Sequence, residues 1–507
     1  MATHFELPAN LTAEALFASL NDKYETHLVS NQFFLKTYYD SFDWRLYKAD
    51  LTCEFNRSKQ SSSFTLINRK TNELVASTIL FDVPSFSRQF NPGKVRQTLE
   101  PILEMRALLP ICTLEGETSL INIVNKDGKI VLNLLIDEFE LLNNRLTLLP
   151  VKGYNKVAEQ IVEMVTKELG LSAVDRPVLL DALKLQGRKP KSYSSKLTFQ
   201  LTPEMPTDVA CKSIFTHLLS AIKINEQGTI ADIDSEFLHD FRVAVRRTRA
   251  LLSQASHVLP EEALTRYKDF FSWLGQITGE TRDLDVYLLN FEQYKKKLPA
   301  VIRQSINPLQ HFLLAKQKKS QKQLAKKLNS SKYMTTLAEW QKYLQAIPHE
   351  NPPETETQST IKHFADQRIW KTYKQIIKKG GGIDKHSPPE ALHNLRKTCK
   401  KLRYLMEFFA GLYPERRIAT LIKYLKNLQE VLGSYQDYAV QQQQLQQFSE
   451  EMQRINTPNK TFLAMGVLIQ DFEVRKGKAR DQFSSEFSIF NKSETHSSFH
   501  TLFGAGK

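Results

Sequence analysis

The sequence predicts an α+β multidomain chain: an antiparallel, barrel-like β domain over 1–190, then an all-α region over 205–475. Three observations predict it. Short β-branched runs separated by polar turns dominate the first part. Apolar residues fall at helical spacing almost throughout the second. Between them, Gln186–Ser195 (QGRKPKSYSS) is rich in Gly, Pro, Ser and Lys, as a linker would be.

In chain order, Ser62–Asn68 (SSFTLIN) and Leu74–Leu80 (LVASTIL) read as strands. Leu120–Val124 and Ile130–Ile136 flank Asn125–Lys129 (NKDGK), where Asp-Gly suits the positive φ of a type I′ hairpin turn. Arg145–Val151 is a further strand. From Tyr154 the period becomes helical, with Val157, Ile161, Val165 and Leu169 on one stripe and Gly170 placed to end the helix. Beyond 205, breaks at 351–360 and 380–389 divide the helical region into halves of about 205–345 and 361–475. The lysines between Lys316 and Lys327 go around a helix, as on a solvated surface. The Ser/Phe-rich end, 484–507, reads as a flexible tail.

Composition narrows the function. The 507 residues hold 69 Lys+Arg and 55 Asp+Glu, a net charge of +14. Residues 1–200 hold 24 basic and 23 acidic side chains (24 − 23, net +1), and 201–507 hold 45 and 32 (45 − 32, net +13). The basic excess thus belongs to the helical region and points to a polyanionic partner. No apolar run approaches the roughly 20 residues that span a bilayer, so no membrane partner is expected. The start, MATHFELPAN, lacks the pattern of a secretory signal. Cys53, Cys112, Cys211 and Cys399 form no metal-ligand spacing. A reduced, cytoplasmic setting is expected.

Two segments of the helical region align without a gap: Leu238–Leu252 (LHDFRVAVRRTRALL) and Leu392–Met406 (LHNLRKTCKKLRYLM). His239 pairs with His393, Arg242 with Arg396, Arg246 with Lys400, Arg247 with Lys401 and Arg249 with Arg403. The second copy adds Lys397. Each copy is followed by Leu-Gly (Leu274-Gly275, Leu432-Gly433) and then by Asp283 or Asp437, which lies 44 residues after its histidine. The period is 154 residues (393 − 239), an internal duplication rather than a short solenoid repeat. Positions 0, +3, +7 and +10 from the histidine share one helix face, beside an apolar stripe one residue back. Like charges at i, i+3 or i+4 disfavour a helix by roughly 0.2–0.5 kcal/mol per pair. Retaining them in both copies points to an external anion.

The duplicated H-x-x-R-x-x-x-[RK]-[RK]-x-R helix, with its Leu-Gly and Asp, resembles the CHAD domain (conserved histidine α-helical domain) over about 205–475. That resemblance implies two helical bundles about a pseudo-twofold axis, with inorganic polyphosphate held in a basic channel between them. The binding residues it implies are His239, Arg242, Arg246, Arg247 and Arg249 with His393, Arg396, Lys397, Lys400, Lys401 and Arg403. No cofactor is needed for that, and association with polyphosphate granules follows. Lysine replaces arginine in part of the second copy and binds phosphate as a point charge.

The first 190 residues resemble a degenerate CYTH domain, a β-barrel of the triphosphate-tunnel type. Phe34–Leu46 is similar to its Tyr-Tyr-Asp segment and Ile136–Glu140 to a late acidic strand. The family's opening Glu-x-Glu-x-Lys is missing, with His4 at the lysine position, and the strand after Tyr-Tyr-Asp offers only Arg57. The alternative function is therefore a metal-dependent inorganic triphosphatase, using Asp137 or Glu138 with Mg²⁺ or Mn²⁺. Loss of the first carboxylates argues against it, and no catalytic residue is assigned. Nucleic acid is the less favoured polyanion, because the ladders carry little aromatic interleaving beyond Tyr404.

Overall fold

A computed structural model describes residues 3–8, 11–58, 61–174, 177–193, 199–255, 259–346, 360–384 and 386–504. The chain forms two units, 1–194 and 195–507.

The first unit is one eight-stranded antiparallel sheet of order β1-β8-β7-β6-β2-β3-β4-β5. Its strands are β1 (Thr3–Glu6), β2 (Glu25–Asp40), β3 (Leu51–Ser58), β4 (Ser62–Asn68), β5 (Leu74–Ile79), β6 (Leu109–Val124), β7 (Ile130–Phe139) and β8 (Arg145–Pro150). Between strands lie α1 (Ala13–Asn21), α2 (Arg45–Lys48) and α3 (Lys94–Leu103), and after β8 come α4 (Asn155–Lys167) and α5 (Val178–Leu185). Alternation sorts the side chains. On one face, Phe5, Ile121, Leu134, Ile136 and Leu146 pack with α1 and α4. On the opposite face, Phe34, Tyr38, Leu114 and Phe139 pack with Leu179, Ala182 and Leu183 of α5.

The β6–β7 turn differs from the type I′ expectation. Only Gly128 has a positive φ (71°), while Asn125 Oδ1 accepts from the amides of Asp127 and Lys129. A register shift between Ile123 and Val124 absorbs the extra residue. The Asn125 side chain thus selects a longer turn with glycine in the left-handed position. Gly170, at φ 66°, follows α4 as expected.

The second unit is helical. Its first half holds α6 (Thr207–Ile230), α7 (Ser235–Leu252), α8 (Glu261–Ile277), α9 (Gly279–Lys297), α10 (Asn307–Leu328) and α11 (Ser331–Gln345). Its second half holds α12 (Ile361–Gly381), α13 (Pro389–Phe408), α14 (Glu415–Gln453), α15 (Asn459–Phe490) and α16 (Ser493–Phe503). The starts of α6 and α12 (207, 361) and of α7 and α13 (235, 389) both differ by 154. The halves differ where α8 and α9, separate in the first, correspond to the single 39-residue α14. On α10, Lys318, Lys319, Lys322, Lys326 and Lys327 are exposed as expected, while Lys316 is half-buried and bonds Glu451 at 2.6 Å.

The expected flexible tail is instead helical through Phe503. Phe490, Phe499 and Phe503 are buried, with Phe499 stacked on Tyr373 at 3.9 Å and Phe503 edge-on to Tyr413 at 4.8 Å. Helix α16 packs on α12 as α11 packs on α6. The phenylalanines at helical spacing outweigh the serines between them, because the second half needs a counterpart to α11. Residues 505–507 lie outside the described set.

Candidate functional site

Helix α7 begins with Asp234, whose side chain accepts from the amides of Glu236 and Phe237. Its stripe of Leu238, Phe241, Val245, Thr248 and Leu252 is buried, which turns the adjacent basic face outward. Helix α13 does the same with Leu392, Leu395, Cys399, Leu402 and Met406. The two helices pack against each other, and Arg247 of α7 pairs with Glu407 of α13 at 3.2 Å.

The facing positions lie on a pseudo-twofold axis. Tyr287 donates its hydroxyl to the carbonyl of Gln441, the residue 154 further on. The mates Asp283 and Asp437 feel each other's charge, as do the mates Arg246 and Lys400. A residue that meets its own counterpart must sit near the axis, so the centre of the repeat is cationic on both sides.

Each ladder residue then has a definite place. Arg242 donates to the carbonyl of Gly275 (3.1 Å) and the hydroxyl of Thr278 (2.6 Å). Burial, and then Arg246, brings its pKa down to about 10. Arg396 reaches Asp437 at 3.4 Å; burial lowers its pKa, with Arg246 adding to the fall and Asp437 opposing it. Lys400 is pushed down to about 7 by burial, then by Arg396 and Arg246. Among the described residues neither Arg246 nor Lys400 makes a hydrogen bond or an ion pair within 4 Å, and the buried Nε atoms of Arg242, Arg246, Arg396 and Arg403 have no hydrogen-bond partner. Buried donors left unpaired cost roughly 1–3 kcal/mol each, more when charged.

The histidines flank this centre and differ. Arg282 can only donate, so the bond at 3.0 Å makes His239 Nδ1 an acceptor and puts its proton on Nε2. His393 Nδ1 lies 2.7 Å from Gln436 Oε1 and donates to it. Arg282 and Gln436 are themselves 154 apart. Both stand at the residue before each aspartate, where the repeat makes them legible in the sequence.

Other expected site residues fall elsewhere. Arg249 and Lys397 are exposed, with Arg249 lying over Gly275, where a Cβ would come within 2.8 Å of its guanidinium. Gly433 has open space around it, so the two Leu-Gly pairs are not structural equivalents. Arg403 pairs with Glu407 at 3.5 Å. Lys401 faces α12, where burial and then Arg368, Lys371 and Lys379 lower its pKa. Of the expected binding residues, Arg242, Arg246, Arg396 and Lys400 therefore lie together, with Arg249 and Arg403 near enough to act on them. Arg247, held by Glu407, stands at the α7–α13 seam, Lys401 lies beside the cations of α12, and Lys397 is exposed.

In the β unit, a cavity of about 360 Å³ opens on the face that carries α5, lined by His4, Lys36, Tyr38, Glu54, Arg69, Asp137 and Arg145 among others. Its cations have internal partners. Lys36 lies 4.0 Å from Glu54, Arg69 pairs with Asp50 at 2.7 Å, and Arg145 bonds Asp181 and lies 3.3 Å from Glu6. Asp137 accepts from Thr118 at 2.6 Å, whereas Glu138 points to the other face and accepts from the amide of Ala13. Asp40, of the Tyr-Tyr-Asp segment, is buried and accepts from the amides of Ser41, Leu46 and Tyr47, which organises α2. Among the described residues no group of three or more His, Cys, Asp or Glu is placed to hold a metal ion. The donors present do not fit a Mg²⁺ or Mn²⁺ site.

The second unit is thus a duplicated all-α domain with a cation-lined axis. Residues 213–446 match the family model of the CHAD domain, and the helical unit carries a CHAD domain. The chain is 24% identical over 333 residues to an uncharacterised protein of Mycobacterium tuberculosis, covering 62% of this chain and 60% of that protein's length. It is similar to the CHAD domain from the plant Ricinus communis, with 24% identity, TM-score 0.48, and coverage of 57% of this chain and 94% of that one. The N-terminal part is similar to a putative adenylyl cyclase from Hippeastrum described as having a dominant triphosphatase activity. There the identity is 11% and the TM-score 0.29, covering 38% of this chain and 99% of that one. Among the described residues no helix is long and apolar enough to cross a membrane.

Proposed function

We propose that the helical unit binds inorganic polyphosphate, with the facing ladders of α7 and α13 taking successive phosphates of a linear chain. The observation that carries this reading is the cluster of Arg242, Arg246, Arg396 and Lys400, half-buried side by side with unpaired donors. Four half-buried cations with only the Asp437 carboxylate in contact, on Arg396, call for an anion that brings several charges at once, and closely spaced phosphates do so. Arginine offers fork-like bonding to phosphate oxygens, and Lys400 adds a point charge. Counterion release supplies much of the affinity. Association with polyphosphate granules would follow from the same affinity. The test is titration with long polyphosphate: changing Arg242, Arg246, Arg396 and Lys400 together to alanine weakens binding by about a hundredfold or more, and unchanged affinity refutes the assignment. Competition with single-stranded DNA or RNA at matched charge distinguishes a general polyanion site, which would treat them alike.

The second reading is a metal-dependent triphosphatase in the β unit. The cavity with Lys36, Arg69 and Asp137 on its walls favours it, and the poor metal donor set opposes it. Phosphate release from tripolyphosphate with Mn²⁺, lost on Asp137→Asn, would establish it.

A further inference from the structure

The duplication is symmetric at the channel and unequal beside it. Helix α12 carries six basic side chains and one carboxylate, Asp366, which Lys362 and Tyr413 engage at 2.7 and 2.8 Å. Its counterpart α6 carries two basic and two acidic side chains, Lys212 and Lys223 against Asp208 and Glu226. Residues 154 positions before Arg368, Lys371 and Lys379 are Ile214, His217 and Asn225. The channel residues recur as basic in both halves, so this second basic surface belongs to one half alone.

That surface has a defined centre. Lys401 on α13 is half-buried beside Arg368, Lys371 and Lys379 of α12, and makes no hydrogen bond or ion pair among the described residues. Its mate Arg247 has a carboxylate, Glu407, at 3.2 Å. Lys379 donates to Thr398 at 2.9 Å, which places it at the α12–α13 seam, and the buried Nε of Arg368 has no partner. Lys397, exposed and one turn before Lys401, shares its face. Five cations thus follow one seam. Solvated lysines are ordinary, but a half-buried lysine ringed by cations and left without a carboxylate is held at a cost that an anion would remove.

We infer that the α12–α13 seam is a second phosphate-binding surface, separate from the channel, which takes the phosphates of a polyphosphate chain too long for the channel alone. This rests on the polyphosphate reading of the channel and adds chain-length selectivity to it. Affinity then grows with chain length through the second surface, as for two linked sites on one ligand.

The experiment compares three forms of the full chain: the unaltered protein, Lys371→Glu/Lys379→Glu, and Arg246→Ala/Lys400→Ala. Each is titrated with short oligophosphate and with long-chain polyphosphate, with circular dichroism checking the fold. Charge reversal on α12 is expected to weaken long-chain binding about tenfold or more and to flatten its salt slope by about 1.4, two contacts at about 0.7 each. Short-chain affinity stays unchanged. Equal loss for short and long chains, or none for either, overturns the seam. If the channel variant binds both as tightly as the unaltered protein, the polyphosphate reading itself fails.

Discussion

The two units handle positive charge in opposite ways. In the β unit, Arg145 is 5% exposed yet bonds Asp181 and Glu6, and Arg45 pairs with Asp43 and Glu104 at 3.2 and 2.7 Å. Its cations are matched from within. At the centre of the helical unit, Arg246 and Lys400 face each other, and the carboxylates within reach serve neighbours: Glu407 takes Arg247 and Arg403, and Asp437 takes Arg396. A cation matched internally contributes to folding, whereas one left unmatched carries a cost that a bound anion would offset. A net charge of +14 does not separate these cases, but partner geometry does.

The largest expected difference lies in binding. Replacing Arg242, Arg246, Arg396 and Lys400 with alanine should weaken polyphosphate binding by at least about a hundredfold, given roughly 1.5–3 kcal/mol per charged hydrogen bond. Lys36→Ala with Arg69→Ala in the β unit should leave it unchanged in the same titration. Next comes stability. Arg145→Ala leaves Asp181 and Glu6 beside an uncompensated gap, and should destabilise the β unit by about 3–5 kcal/mol in urea unfolding. Lys400→Met should act in the opposite sense, raising the unliganded melting temperature by about 2–4 °C per kcal/mol of relieved strain.

The smallest effect is on pH, and its sign follows from Lys400. Its folded pKa of about 7 lies below its ordinary 10.5, so the unfolded chain binds more protons between those values. Unliganded stability therefore rises with pH across that window and is level above it. Polyphosphate prefers the protonated amine, so affinity should fall as pH rises from about 6 to 8. Lys400→Arg should flatten that fall in a titration series.

The fold was legible where local patterns are strong. β4 covers the expected Ser62–Asn68, and the 154-residue period reappears in the starts of two helix pairs. What sequence concealed came from partners brought together at long range. Lys401 shares its repeat position with Arg247, yet only tertiary packing shows one beside three cations and the other beside Glu407. The same holds for Arg282 and Gln436, which set the two histidines differently. The C-terminal segment reads as a flexible tail because its serines obscure Phe490, Phe499 and Phe503, whose burial needs the α12 surface to become visible.

The most direct test is the salt dependence of polyphosphate binding to the full chain. Six channel cations, at about 0.7 per phosphate contact, predict a log-affinity against log-salt slope of about −4 for a chain confined to the channel. Occupation of the seam steepens it, and eight contacts would give about −6. A slope near zero, or one that is unaltered when Arg242, Arg246, Arg396 and Lys400 are all alanine, would contradict the account.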